Sequence, residues 1–251
     1  MPDELADRVH RNLMAVTSWM GADGLEFRDG ELFAAYASEL PFLNIAMREP
    51  GGRPAEEFLA DAREFFFSRG RGFVVYAHPG DPELEGAATA AGLYEVLHRY
   101  PEMVCRERLA ELPGDVRPVA TPEDGAAYWA ICDDAYPSIG MPPGLFTQVF
   151  PPDALLRDEI QACLGYADGR PVACAHVSVT DGVGMVGWVG ALPEARGRGL
   201  AAACTVWATN RAFDMGADVA SLQASEMGES IYERLGYEHL FAYRLLGGMP
   251  G

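Results

Sequence analysis

Lysine is missing from the chain altogether, so all 19 of its basic residues are arginines. A phosphate-binding P-loop needs a lysine directly after its second glycine, and this class of nucleotide-binding protein is therefore excluded. Acidic residues outnumber basic ones by 37 to 19, which gives a formal charge of −18. Nucleic acids and anionic membranes are bound by clustered cations, so neither is an expected partner. Solubility alone explains the charge; a cationic or amine substrate is the functional alternative.

The chain also lacks any run of about eighteen apolar residues, and its acidic start differs from a signal peptide. We therefore expect a cytoplasmic protein. The five cysteines are scattered and never form Cys-x-x-Cys, a pattern that predicts buried reduced thiols and no metal site. With 251 residues, 49% of them hydrophobic and 22% charged, the chain can form one large or two modest globular domains.

The most informative stretch runs from Gly187 to Ala202. An apolar, strand-like run ends in a proline-containing turn, passes Arg196-Gly197-Arg198-Gly199, and continues into a helical pattern that starts at Leu200. The first turn of a helix has unpartnered N–H groups and a partial positive charge. Because the two glycines let a ligand approach the main chain and the two arginines supply charged donors, this loop is suited to a pyrophosphate.

A dinucleotide-binding Rossmann loop is one interpretation of this stretch. Gly197, Gly199 and Ala202 fit Gly-x-Gly-x-x-Ala, and Glu226 lies near the distance expected of a ribose-binding acid. However, only about fifty residues follow the loop, too few for the remaining parallel strands of a doubly wound domain. The segment before the loop also has the pattern of antiparallel hairpins. Both features argue against the Rossmann interpretation.

A second interpretation rests on two motifs in order. Arg196-x-x-Gly199-x-Ala201 resembles the acyl-CoA pyrophosphate loop of the GNAT N-acetyltransferase superfamily, and Ser230 to Tyr237 resembles its C-terminal helix and turn. The resemblance covers about residues 116 to 246. It implies an α+β fold with a mostly antiparallel twisted sheet flanked by helices. It also implies transfer of acetyl from acetyl-CoA to an amine of a small molecule, by a monomer or homodimer.

The resemblance also assigns roles to individual residues. Backbone groups near the end of the strand would polarise the thioester carbonyl and pair with the pantetheine arm, and the strand's glycines suggest a local bulge there. Tyr232 matches the tyrosine that protonates the departing sulfur. The implied cofactor contacts are Val189, Gly190, Ala191, Arg196, Gly197, Arg198, Gly199, Leu200, Ala201 and, less directly because the family often has asparagine there, Ser225.

The general base is not identified by the sequence. Residues 184 to 191 contain no carboxylate, although many relatives have a glutamate on this strand. Asp133, Asp134 and Glu226 are the candidates, and the amine could equally arrive unprotonated. His176 lies in an apolar-alternating strand and is interpreted as a structural histidine. The missing carboxylate leaves a second hypothesis open, a non-catalytic acyl-CoA-binding or interaction module.

The first half repeats the order of elements of the second. A strand, a Gly/Pro break, a helix, a strand, a short helix, a glycine and a long strand occur in both halves. The repeat predicts a diverged GNAT-like domain, and an unrelated α+β cap is the alternative. Its loop keeps Arg48-x-x-Gly51, but Arg53 stands where the family has glycine or alanine, so no acyl donor is expected there. The expected domains are 1–112 and 116–251, with the linker at 112–115.

The local patterns predict individual elements. The expected elements of the first half are a helix through Val9, Leu13, Val16 and Met20 that stops at Gly21, strands at 25–27, 32–37, 42–47 and 73–77, and a helix at 55–68. The expected elements of the second half are a strand at 116–119, a helix from Thr121 to about Tyr136, a short second helix flanked by 145–149 and 154–157, a hairpin of 161–167 with 172–180, and a strand at 184–191.

Overall fold

The computed structural model of the protein describes residues 2–19, 23–36 and 41–251. The chain divides into two compact units. Unit 1 is the chain up to Glu102 together with Leu240–Gly251, and unit 2 is Met103–His239. The last strand is thus part of unit 1, although it follows the last helix of unit 2. The expected sequence domains, 1–112 and 116–251, remain a prediction about the two halves of the chain.

Unit 1 has the strand order β1-β2-β3-β4-β11-β5. Strands β3 and β4 are parallel and joined through a helix, whereas β1/β2, β2/β3 and β4/β11 are antiparallel. The hairpin between β1 and β2 turns at Asp29 and Gly30, whose φ angles of 51° and 73° give a type I′ turn. Its elements are α1 (Pro2–Trp19), β1 (Gly24–Arg28), β2 (Glu31–Ala35), β3 (Ile45–Arg48), α2 (Ala55–Phe67), β4 (Phe73–Ala77), α3 (Pro82–Ala90), most of β5 (Tyr94–Cys105), and β11 (Glu238–Gly248).

Unit 2 has the strand order β10-β9-β8-β7-β6, and the end of β5 lies beside β10. All its neighbouring strands from β6 to β9 are antiparallel, and only β9 and β10 are parallel. The hydrophobic core of this unit lies between the sheet and the helix that follows β9. Alternate residues of β8, such as Ala173, Ala175 and Val177, belong to it. Its elements are β6 (Asp115–Pro118), α4 (Pro122–Ala135), α5 (Leu145–Val149), β7 (Ile160–Ala167), β8 (Arg170–Thr180), β9 (Val183–Ala191), α6 (Leu200–Asp214), β10 (Val219–Gln223) and α7 (Glu226–Leu235).

The predicted fold class, α+β with mostly antiparallel strands flanked by helices, is confirmed. Two elements differ from the prediction. The short second helix is formed by residues 145–149 themselves and is followed by a 3-10 turn at 152–156. The strand expected at 42–47 begins only at Ile45, because residues 41–43 form a 3-10 turn. Asn44 ends that turn, since its N–H donates to Pro41 O and its side-chain amide donates to Gly72 O. The expected stop of the first helix at Gly21 lies outside the described residues.

The start of α4 was read correctly from the sequence. Thr121 is its N-cap and accepts from the N–H of Asp124, whose carboxylate accepts from the N–H of Thr121 in return. This reciprocal capping box satisfies two backbone donors, and Pro122 at the first helical position has no donor to satisfy. The helix therefore has a fixed starting point, which sets which residues face the sheet.

Gly125 lets α4 pack closely on the 3-10 turn Pro152–Leu156. A Cβ atom at residue 125 would lie 1.8 Å from Pro152 O, so the helix or the turn would have to move. We expect Gly125→Ala to lower the free energy of unfolding by about 1–3 kcal/mol, the usual cost of overpacking. Urea unfolding measures it.

Gly86 provides the matched control, because it lies inside α3 and nothing is within 4 Å of the position of its Cβ. Gly86→Ala should raise stability by about 0.4–1 kcal/mol, since alanine has less freedom to lose in a helix. Equal effects of the two substitutions would contradict the close packing of α4.

The internal repeat is visible in the order of the elements. Strand β3, helix α2, strand β4, helix α3 and strand β5 follow one another as β9, α6, β10, α7 and β11 do. In both sets the first two strands are parallel and are connected by the helix between them. Gly92 and Gly236 follow the corresponding short helices and both have positive φ, 77° and 109°, a conformation that glycine adopts without strain.

The five cysteines are all free and buried, as predicted. None of the helices in the described residues is both long enough and apolar enough to cross a membrane.

Candidate acyl-CoA site

Strand β9 has a bulge near its end. Cys174 of β8 is opposite Gly190 and His176 is opposite Gly187, so Trp188 and Val189 together face the single residue between them on β8. Trp188 has a φ of 42°, which is uncommon for a residue with a side chain. A bulge of this kind interrupts the hydrogen-bond ladder and redirects backbone groups. The sequence pointed to a bulge in this strand through its glycines, but a tryptophan adopts the positive φ.

Strands β9 and β10 separate just before the bulge. Their pairing ends at Met185 and Ser221, whereas β9 continues to Ala191 and β10 to Gln223. In the described chain, no pairing joins these two strands beyond that point. The end of β9, which contains the predicted contacts Val189, Gly190 and Ala191, therefore has an edge at which an extended ligand could add hydrogen bonds.

The glycine-rich loop follows, and it ends at the start of α6. Gly197 and Gly199 have φ angles of 75° and 78°, and nothing lies within 4 Å of the position of a Cβ atom at either residue. Gly199 is the N-cap, and the first helical hydrogen bond runs from Ala203 N to Gly199 O. Among the described residues, no group accepts from the N–H groups of Leu200 and Ala201.

The other helix starts have partners. Side chains of Asp81, Thr121 and Ser225 cap α3, α4 and α7. A carboxylate serves the first turn of two more: Glu83 accepts from Ala55 N of α2, and Asp133 accepts from Phe146 N of α5. Of the helices from α2 to α7, all of them described, α6 alone has a first turn with neither a side-chain cap nor a carboxylate. Its backbone donors are thus available to an anion.

The two arginines of the loop differ in their contacts. Arg196 Nη2 donates to Ala135 O and to Ser138 Oγ, both at 3.1 Å, so this side chain fastens the loop to the end of α4. Arg198 is exposed, and its one polar contact with the part of the chain that the structure describes is a 3.5 Å ion pair with Asp168. A surface pair of this kind contributes little to stability, so Arg198 can reorient toward a ligand at small cost. That Arg198 donates hydrogen bonds to a bound anion stays a prediction.

The corresponding loop of unit 1 is occupied by its own side chains. Arg48 is buried and binds Asp81 through two hydrogen bonds of 2.7 and 2.8 Å, and Glu83 accepts from the N–H of Ala55 at the start of α2. Arg53 turns toward Glu31, whose hydrogen bond contributes most to raising the pKa of Arg53 above its ordinary value. A carboxylate of the protein thus lies where an anionic ligand would meet the helix.

Helix α7 carries the two other predicted site residues. Ser225 Oγ accepts from Gly228 N at 3.2 Å and caps the helix. The ring of Tyr232 lies over Gly228, where a Cβ atom would be 2.8 Å from Tyr232 Cε2. Burial raises the pKa of Tyr232 to about 12, so its hydroxyl is protonated at neutral pH. Within the described residues this hydroxyl makes no hydrogen bond and remains available as a donor.

The three acidic residues considered as general bases are either committed to hydrogen bonds or exposed. Asp133 accepts from the N–H groups of Phe146 and Thr147 and from the Thr147 hydroxyl, so it holds the start of α5. Asp134 and Glu226 are exposed. The structure instead brings together Tyr128 and His176 beside the bulge, with Tyr128 Oη 3.0 Å from His176 Nδ1 and 3.1 Å from Trp188 O. These two residues are 48 positions apart, and no local pattern links them.

Aromatic side chains surround Trp188 on the α4 side of β9. Its ring centroid lies 5.6 Å from that of Tyr136 and 5.0 Å from that of Phe146. Phe146 is fully buried, whereas Trp188 and Tyr136 are half-buried. The bulge therefore borders an aromatic surface that is partly accessible.

One group of side chains in the described residues has the spacing of metal ligands. Glu229, Glu233 and His239 place one ligand atom each within 4.8 Å of one another. His239 Nε2 already lies 2.5 Å from Glu229 Oε1, a contact that a hydrogen bond explains. We assign no ion to this group.

The arrangement defines a class: an α+β protein with a bulged strand, two parting parallel strands and an uncapped glycine-rich helix start. Residues 126–237 match the family model of the acetyltransferase (GNAT) family. They form a GNAT acetyltransferase domain, and the resemblance stated from Arg196-x-x-Gly199-x-Ala201 and from residues 230–237 is confirmed.

Solved structures extend the likeness to the whole chain. A GCN5-related N-acetyltransferase from Kribbella flavida is 28% identical, with a TM-score of 0.72, and the alignment covers 98% of this chain and 96% of that chain. A GCN5-related N-acetyltransferase from Sphaerobacter thermophilus is 17% identical (TM-score 0.63; 100% and 95% covered). A tandem GNAT protein from the clavulanic acid biosynthesis pathway is 15% identical (TM-score 0.59; 99% and 96% covered). The last two share the fold. No curated protein matches the chain.

Proposed function

We propose that the protein is an N-acetyltransferase that moves acetyl from acetyl-CoA to an amine of a small molecule in the cytoplasm, as a monomer or homodimer. The observation that carries the proposal is the uncapped start of α6 directly after the bulged end of β9. Backbone donors for a diphosphate and an unpaired strand edge for an extended arm lie on one continuous stretch of chain. Acyl-CoA has both parts in the same order.

The predicted contact residues fit this donor. Gly197, Arg198, Gly199, Leu200 and Ala201 would hold the diphosphate through backbone N–H groups and one guanidinium. Residues 189–191 would pair with the pantetheine arm as an added strand does, and the bulge would aim a backbone N–H at the thioester carbonyl. We retain Arg196 as a second cation near the phosphates and Ser225 as a neighbouring contact, although both side chains also have structural partners.

Tyr232 is proposed as the general acid. The thiolate that leaves when the C–S bond breaks needs a proton. The Tyr232 hydroxyl is protonated and has no acceptor among the described residues, so it can donate that proton. The acceptor amine is proposed to lie against the half-buried rings of Trp188 and Tyr136. The aromatic faces and the acidic surface both favour an amine over an anionic acceptor.

We also propose that unit 1 binds no acyl donor, because Glu83 already accepts from the start of α2 and the guanidinium of Arg48 is already paired with Asp81. Titration calorimetry with acetyl-CoA should then give one site per chain, and free thiol should be released when amines from a panel are added. Binding of two molecules per chain would contradict the proposal for unit 1. Binding of one molecule without turnover of any amine would favour a non-catalytic acyl-CoA-binding module, which the lack of a carboxylate on residues 184–191 also suggests.

A further inference from the structure

One face of the sheet in unit 2 carries buried polar atoms without partners. His176 Nε2, Ser178 Oγ and Ser221 Oγ are all buried and make no hydrogen bond to any other described residue. His176 and Ser178 alternate along β8 on the face opposite the α6 core, and Ser221 shares their face, since it is aligned with Ser178 through Met185. Unpaired buried polar atoms are rare and costly in proteins, so this face needs a water or a ligand to complete it.

His176 lies against β9 at the place where β9 and β10 part. A Cβ atom at residue 187 would be 2.7 Å from His176 Cε1 and 3.0 Å from Nε2, so the imidazole fills the space that a side chain of Gly187 would take. Gly187 itself is partly exposed and directly precedes the bulge residue Trp188. The unpartnered edge of the fully buried imidazole therefore lies against β9 at the residue before the bulge, whose backbone is proposed to face the thioester.

The contacts of Tyr128 determine which nitrogen carries the proton. A hydroxyl has one hydrogen and a carbonyl oxygen can only accept, so Tyr128 donates to Trp188 O. His176 Nδ1 must then donate to Tyr128 Oη, and Nε2 is left with a lone pair. Burial lowers the pKa of His176 to about 4, and it raises the pKa of Tyr128 well above its ordinary value. Both groups are thus neutral at neutral pH.

The geometry points to His176 as the residue that accepts the proton of the attacking amine through Nε2, directly or through one water, with Tyr128 as the positioning residue. This inference rests on the proposed acetyl transfer. The amine nitrogen forms a bond to the acyl carbon, and the C–S bond breaks. One proton passes from that nitrogen to His176 Nε2, and Tyr232 gives one to the thiolate. Water then takes the proton from His176 and restores that of Tyr232.

The first test compares His176→Gln with the wild type. Glutamine can keep a hydrogen bond to Tyr128 but cannot take up a proton at this pH. We expect kcat to fall by roughly 100-fold or more, the usual range for a general base, with an unchanged KM for acetyl-CoA. Tyr128→Phe should lower kcat less. At equal concentrations of unprotonated amine, the wild-type rate should fall as the pH drops toward the pKa of His176, because only the neutral imidazole accepts a proton, and the glutamine variant should lose this limb.

His10 gives a matched control in unit 1. It is also fully buried and lies 3.0 Å from a tyrosine hydroxyl, that of Tyr243, but its Nε2 already has a partner, Arg48 O at 2.9 Å. His10→Gln should leave kcat unchanged. Wild-type kcat in His176→Gln, or an equal loss in the two variants, would overturn the inference while leaving acetyl transfer intact. Absence of turnover in the wild type with every amine would overturn both.

Nitrogen NMR of imidazole-labelled wild-type protein tests the inference without a variant that could misfold. We expect His176 to carry its proton on Nδ1, and the Nε2 resonance to move when an acceptor amine is added to the complex with coenzyme A. A proton on Nε2 in the neutral ring would overturn the assignment of this residue.

Discussion

Gly199→Val is expected to abolish acetyl-CoA binding while the protein remains folded. Residue 199 has a φ of 78°, and any residue with a Cβ atom is strained there by about 1–2 kcal/mol, a valine more than most. This local strain is smaller than the stability of a typical domain. The Cβ substituents would project into the open space over the first turn of α6, where nothing lies within 4 Å. That space is the proposed diphosphate position, so calorimetry should detect no binding.

Gly51→Val separates loss of the site from loss of backbone freedom. Gly51 belongs to the corresponding loop of unit 1, has the same φ of 78°, and likewise has nothing within 4 Å of its Cβ position. The strain is therefore matched, but the start of α2 is served by Glu83. We expect unchanged acetyl-CoA affinity in this variant. Unchanged affinity in Gly199→Val, or equal losses in both, would remove the α6 loop from the proposed site.

The local elements of the chain could largely be predicted because their causes are local. Thr121, Pro122 and Asp124 specify a helix start within four residues, and the structure contains that capping box. The strand at 73–77 is a short apolar run and has the predicted bounds. Asn44 shows the limit: its amide donates to a carbonyl 28 residues away, so the strand begins later than hydrophobicity alone suggests.

The partner of the last strand could not be predicted. Strand β11 follows α7 in the chain, yet it pairs with β4, with Leu246 opposite Val75. Every strand offers the same backbone groups to a neighbour, so the choice of neighbour depends on packing between residues that are far apart in sequence. The linker at 112–115 divides the chain by sequence, whereas the compact units group residues by their contacts, which include the pairing of β11 with β4.

One part of the candidate site could be predicted from the sequence and another part could not. The glycine loop could be found from sequence because positive φ angles and a helix start need specific residues at fixed spacing. The contact of Tyr128 with His176 joins α4 to β8, and a histidine in an alternating strand has the pattern of an ordinary core residue. The one local feature connected with this contact is Gly187, whose missing side chain leaves room for the His176 imidazole. That role follows only from the pairing of β8 with β9.

Tyr232→Phe is expected to reduce kcat by roughly 100-fold to 10,000-fold, the range for loss of a general acid, while acetyl-CoA affinity survives. Phenylalanine keeps the ring that packs over Gly228 and beside Tyr237, so the helix should keep its position. It lacks the hydroxyl, which burial keeps protonated at neutral pH and which is the proposed proton donor to the sulfur as the C–S bond breaks. Steady-state rates and calorimetry on the same preparation measure both quantities.

Tyr237→Phe is the control for the neighbouring ring. The two ring centroids are 6.0 Å apart, but the Tyr237 hydroxyl lies 2.6 Å from Thr209 Oγ1 and is committed to that contact. Its loss should cost about 0.5–1.5 kcal/mol of stability, the worth of an ordinary hydrogen bond, and leave kcat unchanged. Substrates with a better leaving thiolate should also depend less on Tyr232, because such a thiolate needs less protonation as the C–S bond breaks. A full wild-type rate in Tyr232→Phe with acetyl-CoA would show that water protonates the sulfur and that Tyr232 only packs.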